Sequence, residues 1–349
     1  MNRHRIFTTL AATMLSLGII SSAQACTRAV YHGENQLYMT GRSMDWRDPI
    51  PADMWIFPRG MKHNGGAGKN SVEWTSKYGS LLVTSFGIAA SDGMNEKGLV
   101  ANMLWLAASQ YPDMRDQKNT LSISAWAQYF LDNFATVDEA VKAMQNAPLA
   151  IVSDTIPGTD RYTTLHLSIS DATGDSAIFE YINGKLDIHH SRDFQVMTND
   201  PSYDEQLAIQ RYWAGIGGTT FLPGSNHSPD RFARAEFYIN AIPNTSDTNL
   251  GAASVMSVMR NVSVPLGITT PGQPNISSTR WRVVADQKNL RYFYESTLTP
   301  NTFWVDLNKF DFSADKPVFK LALANQEIYS GEASKHFQPA RPFEFLHAN

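Results

Sequence analysis

The chain of 349 residues contains a single cysteine, Cys26. One thiol excludes an internal disulfide framework and any metal site built from several thiolates. No sign of charge dominates either: 29 Lys and Arg stand against 33 Asp and Glu, for a formal charge of −4. Without a basic stripe such a chain is a poor partner for nucleic acid. Past the first twenty-five residues there is no apolar run of eighteen, so no membrane-spanning helix is expected. Internal repeats and low-complexity segments are also missing. What remains is 43% hydrophobic and 11% aromatic, the composition of a compact globular protein rather than a disordered, collagen-like or coiled-coil one.

The first twenty-five residues read as an address. Arg3, His4 and Arg5 precede a mostly apolar stretch from Ile6 to Ile20, and Ala23-Gln24-Ala25 supplies the small residues of a cleavage site. Fifteen residues at 1.5 Å each span roughly 22 Å, short of the roughly 30 Å hydrocarbon core, so no stable membrane anchor is expected. Cleavage after Ala25 would leave one domain, residues 26–349, beginning with Cys26 and carrying a formal charge of −6. A cysteine at this junction has two readings. One is a bacterial lipoprotein, but such sites usually carry Leu three residues before the cysteine, where this chain has Ala23. The other is an N-terminal nucleophile, in which cleavage exposes a thiol and an α-amine on one residue. The amine, with an ordinary pKa of about 7.7–8.0, can take the thiol proton near neutral pH.

Local pattern places charged residues beside that cysteine. Thr27–Tyr31 and Leu37–Thr40 read as strands around a turn at His32-Gly33-Glu34-Asn35, a hairpin that returns Arg42 and Asp45 to Cys26. Arg42 is expected to favour the thiolate and lower the thiol pKa, and Asp45 to accept a hydrogen bond from the α-amine. From spacing alone, a surface Arg–Asp pair is the competing reading.

Cys26-Thr27-Arg28 followed by Gly41-Arg42-Ser43-Met44-Asp45-Trp46 resembles the choloylglycine hydrolase family, which contains penicillin V acylases and conjugated bile salt hydrolases. The resemblance continues in order through Asn95-Glu96-Lys97-Gly98-Leu99, Met197-Thr198-Asn199-Asp200-Pro201 and Ser228-Pro229-Asp230-Arg231-Phe232. It implies an α+β, four-layer αββα N-terminal nucleophile (Ntn) hydrolase fold with two stacked antiparallel sheets. It also implies catalytic roles for Cys26, Arg42, Asp45, Asn199 and Arg231. The reaction would be hydrolysis of a linear amide through a thioester, with Asn199 as a side-chain oxyanion donor and Arg231 positioning the nucleophile's surroundings. Where bile salt hydrolases carry an Asn as the second donor, ungapped alignment puts Trp105, with Asn102 three residues earlier. An aromatic residue there resembles penicillin V acylases, whose backbone N–H is taken as the donor.

Trp46 and Trp105 are accordingly expected as substrate-binding walls suited to a flat or acyl-chain group. The implied substrate is a small N-acyl amide: penicillin V first, an acyl homoserine lactone next, a bile conjugate as the alternative. No cofactor and no metal are implied. The 32 residues between Asn199 and Arg231 are fewer than Gram-positive members carry, which puts the family's homotetramer in doubt and points to the periplasmic Gram-negative branch. A lipid-anchored binding protein without catalysis is the alternative from a different class.

Elsewhere the pattern predicts a helix over Thr120–Asn133 and another from the capping box Thr136–Glu139 to about Asn146. Leu165–Ser170, Ser176–Ile182, Lys185–His190, Phe194–Thr198, Trp281–Asp286, Arg291–Ser296 and Phe303–Asp306 are predicted strands, with Asn183-Gly184 a hairpin turn. Arg231–Asn240 and Ala252–Arg260 are predicted helices, and Pro265–Asn275 is the best linker candidate. Gly41-Arg42-Ser43-Met44-Asp45 fails as a nucleophile elbow because Asp45 replaces its second glycine. Gly68-Lys69 lacks the rest of a phosphate loop. His189-His190, adjacent on a strand, would point to opposite faces and make a poor ligand pair.

Overall fold

The computed structural model describes residues 26–113, 117–156, 158–269, 277–299 and 301–348. The predicted leader, residues 1–25, and residues 270–275 of the linker candidate lie outside the described residues. Two large sheets organise the rest. In spatial order, the first holds Val196–Met197, Thr27–His32, Tyr38–Trp46, Ser278–Asp286, Arg291–Ser296, Thr302–Asp306 and Gly331–Glu332. The second runs Lys185–His190, Ser176–Ile182, Leu165–Ser170, Val100–Trp105, Ala89–Asn95, Ser80–Ser85, Met54–Phe57, Phe319–Leu321 and Gln338–Pro339. Pairing is antiparallel apart from the parallel contact of Phe303 with Gly331. The strands follow hairpin alternation, and at Asn183-Gly184 both residues take positive φ (52° and 75°), as a two-residue turn of this kind requires.

Among the described residues, five α-helices complete the layers. α1 (Trp126–Asn133) and α2 (Val137–Asn146) cover the outer face of the second sheet. α3 (Tyr203–Ile216), α4 (Ser228–Ala241) and α5 (Thr248–Asn261) lie on the side of the first, with α4 on Thr27–His32 and α5 on Tyr38–Trp46 and Ser278–Asp286. This is the αββα arrangement expected. Between the sheets, Ile56, Val83, Met94, Val100 and Leu104 share one core with Trp281, Val283, Ala285, Tyr292 and Tyr294. Outside the second sheet, Leu82, Leu99 and Ala101 pack with Trp126, Phe130 and Leu131. Each such large apolar side chain contributes roughly 1.5–3 kcal/mol on burial. Gly41 has a packing reason: a Cβ there would meet Val255 and Met259 of α5 at 2.8 Å, so the helix can approach only a bare backbone.

Two readings need correction. Thr120–Ser122 is a short strand, parallel to Ala150–Val152, followed by a 3-10 turn over Ile123–Ala125, and α1 begins only at Trp126. The spacing of Ile123, Trp126, Ala127 and Phe130 arises because turn and helix bury the same face, which imitates one continuous helix. α3 went unpredicted because, among its fourteen residues, only Tyr203 and Gln206 are buried, too thin a stripe to show as periodicity. The capping box of α2 forms as predicted on one side, Thr136 accepting from the Glu139 amide. Glu139 returns to the Ala135 amide rather than to that of Thr136.

Candidate active site

Register explains how three distant segments meet. The Thr27–His32 strand pairs with Tyr38–Trp46, Arg28 opposite Arg42 and Thr27 opposite Ser43, so one step further Cys26 faces Met44. On its other edge Arg28 lies opposite Met197, and the same count carries Asn199 to Cys26. Both contacts are seen: the Cys26 Sγ lies 3.9 Å from the Met44 Sδ, and the Cys26 backbone nitrogen donates to Asn199 Oδ1 at 2.8 Å. Cys26 is 3% exposed, and Arg42, Asp45, Asn199 and Arg231 are all buried with it.

Arg42 and Asp45 are an odd number of residues apart and therefore reach Cys26 from different faces of their strand. Arg42 points between the sheets. Its Nη2 lies 3.9 Å from Sγ and donates to the Met103 carbonyl at 2.9 Å, while Nη1 pairs with Asp92 at 3.4 Å. The guanidinium stacks 4.5 Å over Trp281, and Asp92 in turn accepts from Tyr292 at 2.5 Å and Asn102 at 2.8 Å. The backbone of Asp45 faces the thiol: its N–H lies 3.5 Å from Sγ and its carbonyl 3.7 Å. The carboxylate accepts from Thr279 at 2.5 Å and Ser43 at 3.3 Å. Asp45 thus does not take the hydrogen bond of the Cys26 nitrogen; Asn199 does, because the register puts an amide oxygen directly opposite.

Arg231, in the first turn of α4, ties the junction together. It donates to the Cys26 carbonyl and to Thr27 Oγ1 at 2.6 Å each, to Asn199 Oδ1 at 2.7 Å and to the Asn226 carbonyl at 3.0 Å. The Asn199 amide nitrogen donates one hydrogen to the Trp105 carbonyl at 2.7 Å, and its backbone N–H donates to Ser228 at 2.9 Å. Asp200 extends this clamp, accepting from the amides of Ala107 and Ala108 at 2.8 and 2.9 Å. Behind it, buried His166 bridges Glu180 at 2.8 Å and the Thr198 carbonyl at 2.9 Å. Asp200 had stood only as a member of the Met197–Pro201 motif, and His166 and Glu180 had no sequence signal, since their partners lie 14 to 93 residues away.

Electrostatics depart from expectation in one respect. Arg42 does pull the thiol pKa down, as do Arg231 and the Asp45 amide, but burial raises it more and the thiol ends above its ordinary 9.0. Burial likewise pushes Asp45 up to about 6 against the pull of Arg231, Thr279 and Arg42, and brings Arg231 down to about 10. A thiol held protonated at rest needs a base at hand rather than a standing thiolate.

Beside Sγ opens a cavity of about 110 Å³, bounded by Cys26, Met44, Trp46, Met103 and Trp105 at the junction, with further walls from Phe86, Ile123 and Leu346. Trp46 and Trp105 meet edge to face, 5.5 Å between centroids, and Arg161 lies 4.3 Å over Trp105 and 5.7 Å over Trp46, a contact the sequence did not announce. His189 and His190 diverge, the first towards Glu180 and the second to Asp175. Among the described residues no group of three or more His, Cys, Asp or Glu could hold a metal ion.

Residues 26–320 match the family of linear amide C–N hydrolases known as choloylglycine hydrolases. A penicillin V acylase from Pectobacterium atrosepticum is 50% identical over 99% of this chain and 98% of its own. A bile salt hydrolase/transferase from Clostridium perfringens is 25% identical over 81% of this chain and 93% of its own. The solved penicillin V acylase of Agrobacterium tumefaciens superposes with a TM-score of 0.86 at 56% identity, covering 92% of this chain and 99% of that one. With the fold, the junction geometry and these relatives in agreement, the chain belongs to the choloylglycine hydrolase family and is a hydrolase of linear amide C–N bonds.

Proposed function

We propose that the protein is an exported, periplasmic cysteine amidase of the penicillin V acylase type, acting on small N-acyl amides once residues 1–25 are removed. Freed from Ala25, the Cys26 α-amine takes the Sγ proton, and Sγ attacks the amide carbonyl. The upward push of burial on the thiol pKa is in keeping with such an internal base. The tetrahedral oxyanion is held by two donors. One is the second N–H of Asn199 Nδ2, whose first is committed to the Trp105 carbonyl. The other is the Trp105 N–H, which lies beyond Asn102, the last residue paired with Ala89–Asn95. The α-ammonium then protonates the departing amine, leaving a thioester on Cys26. Water, deprotonated by the same α-amine, attacks the thioester; the acid leaves and the thiol is restored.

The observation that supports this reading is the bond from the Cys26 nitrogen to Asn199, which sets the proposed base beside the proposed oxyanion donor. Arg42, Asp45 and Arg231 fix that arrangement. The tryptophan pair supports penicillin V and acyl homoserine lactones over bile conjugates, since an aromatic wall replaces a polar side chain at Trp105.

The test is amine release by the mature protein from penicillin V, a long-chain acyl homoserine lactone and glycocholate, each beside Cys26→Ala. Cleavage of the first two, lost in the variant, is expected. Cleavage unchanged in Cys26→Ala refutes the mechanism, and preference for glycocholate refutes the Trp105 assignment. A lipid mass on Cys26 would replace the amidase by an anchored binding protein.

A further inference from the structure

Family membership does not assign the end of the chain, since the matched residues stop at 320. Yet the last described residues reach the cavity: Leu346 lines it together with Cys26. The two residues belong to separate neighbourhoods. Cys26 bonds to Arg42, Met44, Asp45, Asn199 and Arg231. Leu346 bonds to Ile88, Ser122 and Ser124. Leu346 therefore forms a wall that the catalytic junction does not.

That wall is fastened, not draped. The Leu346 N–H donates to Ile88 at 2.9 Å, and its carbonyl accepts from the buried hydroxyls of Ser122 at 2.6 Å and Ser124 at 2.7 Å. Two residues on, the Ala348 N–H donates to Gly66 at 2.7 Å. Before it, Phe343 packs on Trp55 with 5.4 Å between centroids, and Phe345 on His63 at 6.1 Å. Gly66 makes room for the strap: its φ is +63°, and a Cβ there would meet His347 at 2.9 Å. Of the strap's residues only Leu346 lines the cavity, half-buried, between anchors on both sides.

We infer that Leu346 is a specificity-determining residue, the stop against which the acyl chain of the substrate ends. This rests on the amidase reading above. A linear acyl chain whose carbonyl sits at Sγ leaves its methyl end to meet the walls of the apolar cavity away from the catalytic junction, and Leu346 supplies part of that wall on an anchored backbone. Each methylene accommodated or refused changes kcat/KM by roughly fourfold.

The test uses the mature protein, Leu346→Ala and Leu346→Trp, with acyl homoserine lactones of four to twelve carbons, which share one leaving group, and penicillin V to certify the site. Leu346→Ala is expected to move the preferred chain two or three carbons longer. Leu346→Trp is expected to lose tenfold or more on the longest chains and less than threefold on the shortest. An unchanged length profile in both variants overturns the inference, as does an effect that follows the amine rather than the acyl side in a second panel varying the leaving group. Should the unmodified protein cleave none of penicillin V, the lactones and glycocholate, the amidase reading fails instead. Tryptophan-fluorescence titration with linear fatty acids of the same lengths then reads the wall without turnover: the same ordering supports it, and affinities that do not depend on length in either variant overturn it.

Discussion

Asn199→Asp separates folding from chemistry at this junction. The replacement keeps the shape and keeps an oxygen where Oδ1 accepts from the Cys26 nitrogen and from Arg231, now as a charge-assisted contact at about the same place. It exchanges the Nδ2 donor for a second acceptor, 2.7 Å from the Trp105 carbonyl. Stability should fall through one lost hydrogen bond of about 1 kcal/mol and the opposed lone pairs, partly offset at Arg231, for a net loss of about 1–2 kcal/mol. Turnover should fall much further. One preorganised oxyanion donor is worth roughly 2.7–4 kcal/mol of barrier, so kcat should drop about 10²–10³-fold with KM changed little. Steady-state hydrolysis of penicillin V, set beside urea unfolding followed by tryptophan fluorescence, measures both. A kcat within tenfold of the parent refutes the oxyanion role. So does a loss of kcat matched by an equal loss of folding free energy, which would make Asn199 structural.

Other perturbations read different parts of the site. Burial raises the Asp45 carboxyl from its ordinary 3.8 to about 6, so its unfolded form ionises first. Stability linked to Asp45 is fully present below pH 4 and declines as pH rises to 6, by roughly 3 kcal/mol in all. Urea midpoints from pH 4 to 7 should show that slope in the parent and not in Asp45→Asn, and equal slopes refute it. Asp200→Ala should cost about 2–3 kcal/mol by thermal unfolding, because the amides of Ala107 and Ala108 lose a charged acceptor. It should also lower kcat by loosening the chain after Trp105; an unchanged melting temperature would show that water replaces the clamp. Trp46→Leu removes an edge-to-face contact of about 0.5–1.5 kcal/mol and one cavity wall. KM for penicillin V should rise about tenfold with kcat within threefold, whereas a large loss confined to kcat would show that Trp46 orients the junction instead.

What could be read from the sequence was local. Arg42 and Asp45 were legible because one hairpin returns them to Cys26, and Ser176–Ile182 with Lys185–His190 because Asn183-Gly184 dictates the turn between them. Asn199 and Arg231 read as an ordinary turn Asn and helix-start Arg when taken alone, Trp105 equally well as a core tryptophan, and all three became legible only through a resemblance. Their meeting depends on a register between strands more than 160 residues apart. The thiol was misjudged for a related reason: charge sign is written in the sequence, but burial is not, and burial outweighs Arg42. Asp200, His166, Arg161 and Leu346 act through partners no spacing rule connects. The Thr120–Ser122 strand was lost because its parallel partner lies some thirty residues downstream while its apolar neighbours imitate a helix.

Cys26 and Leu346 border the same cavity although 320 residues separate them in sequence. During synthesis the residue that would carry the nucleophile emerges some 320 residues before the wall, so the cavity stays incomplete until Leu346 is available. Contacts of such separation are slow to close, because the intervening loop must be organised beforehand. A chain broken off before Leu346 would hold its thiol beside an unfinished chamber.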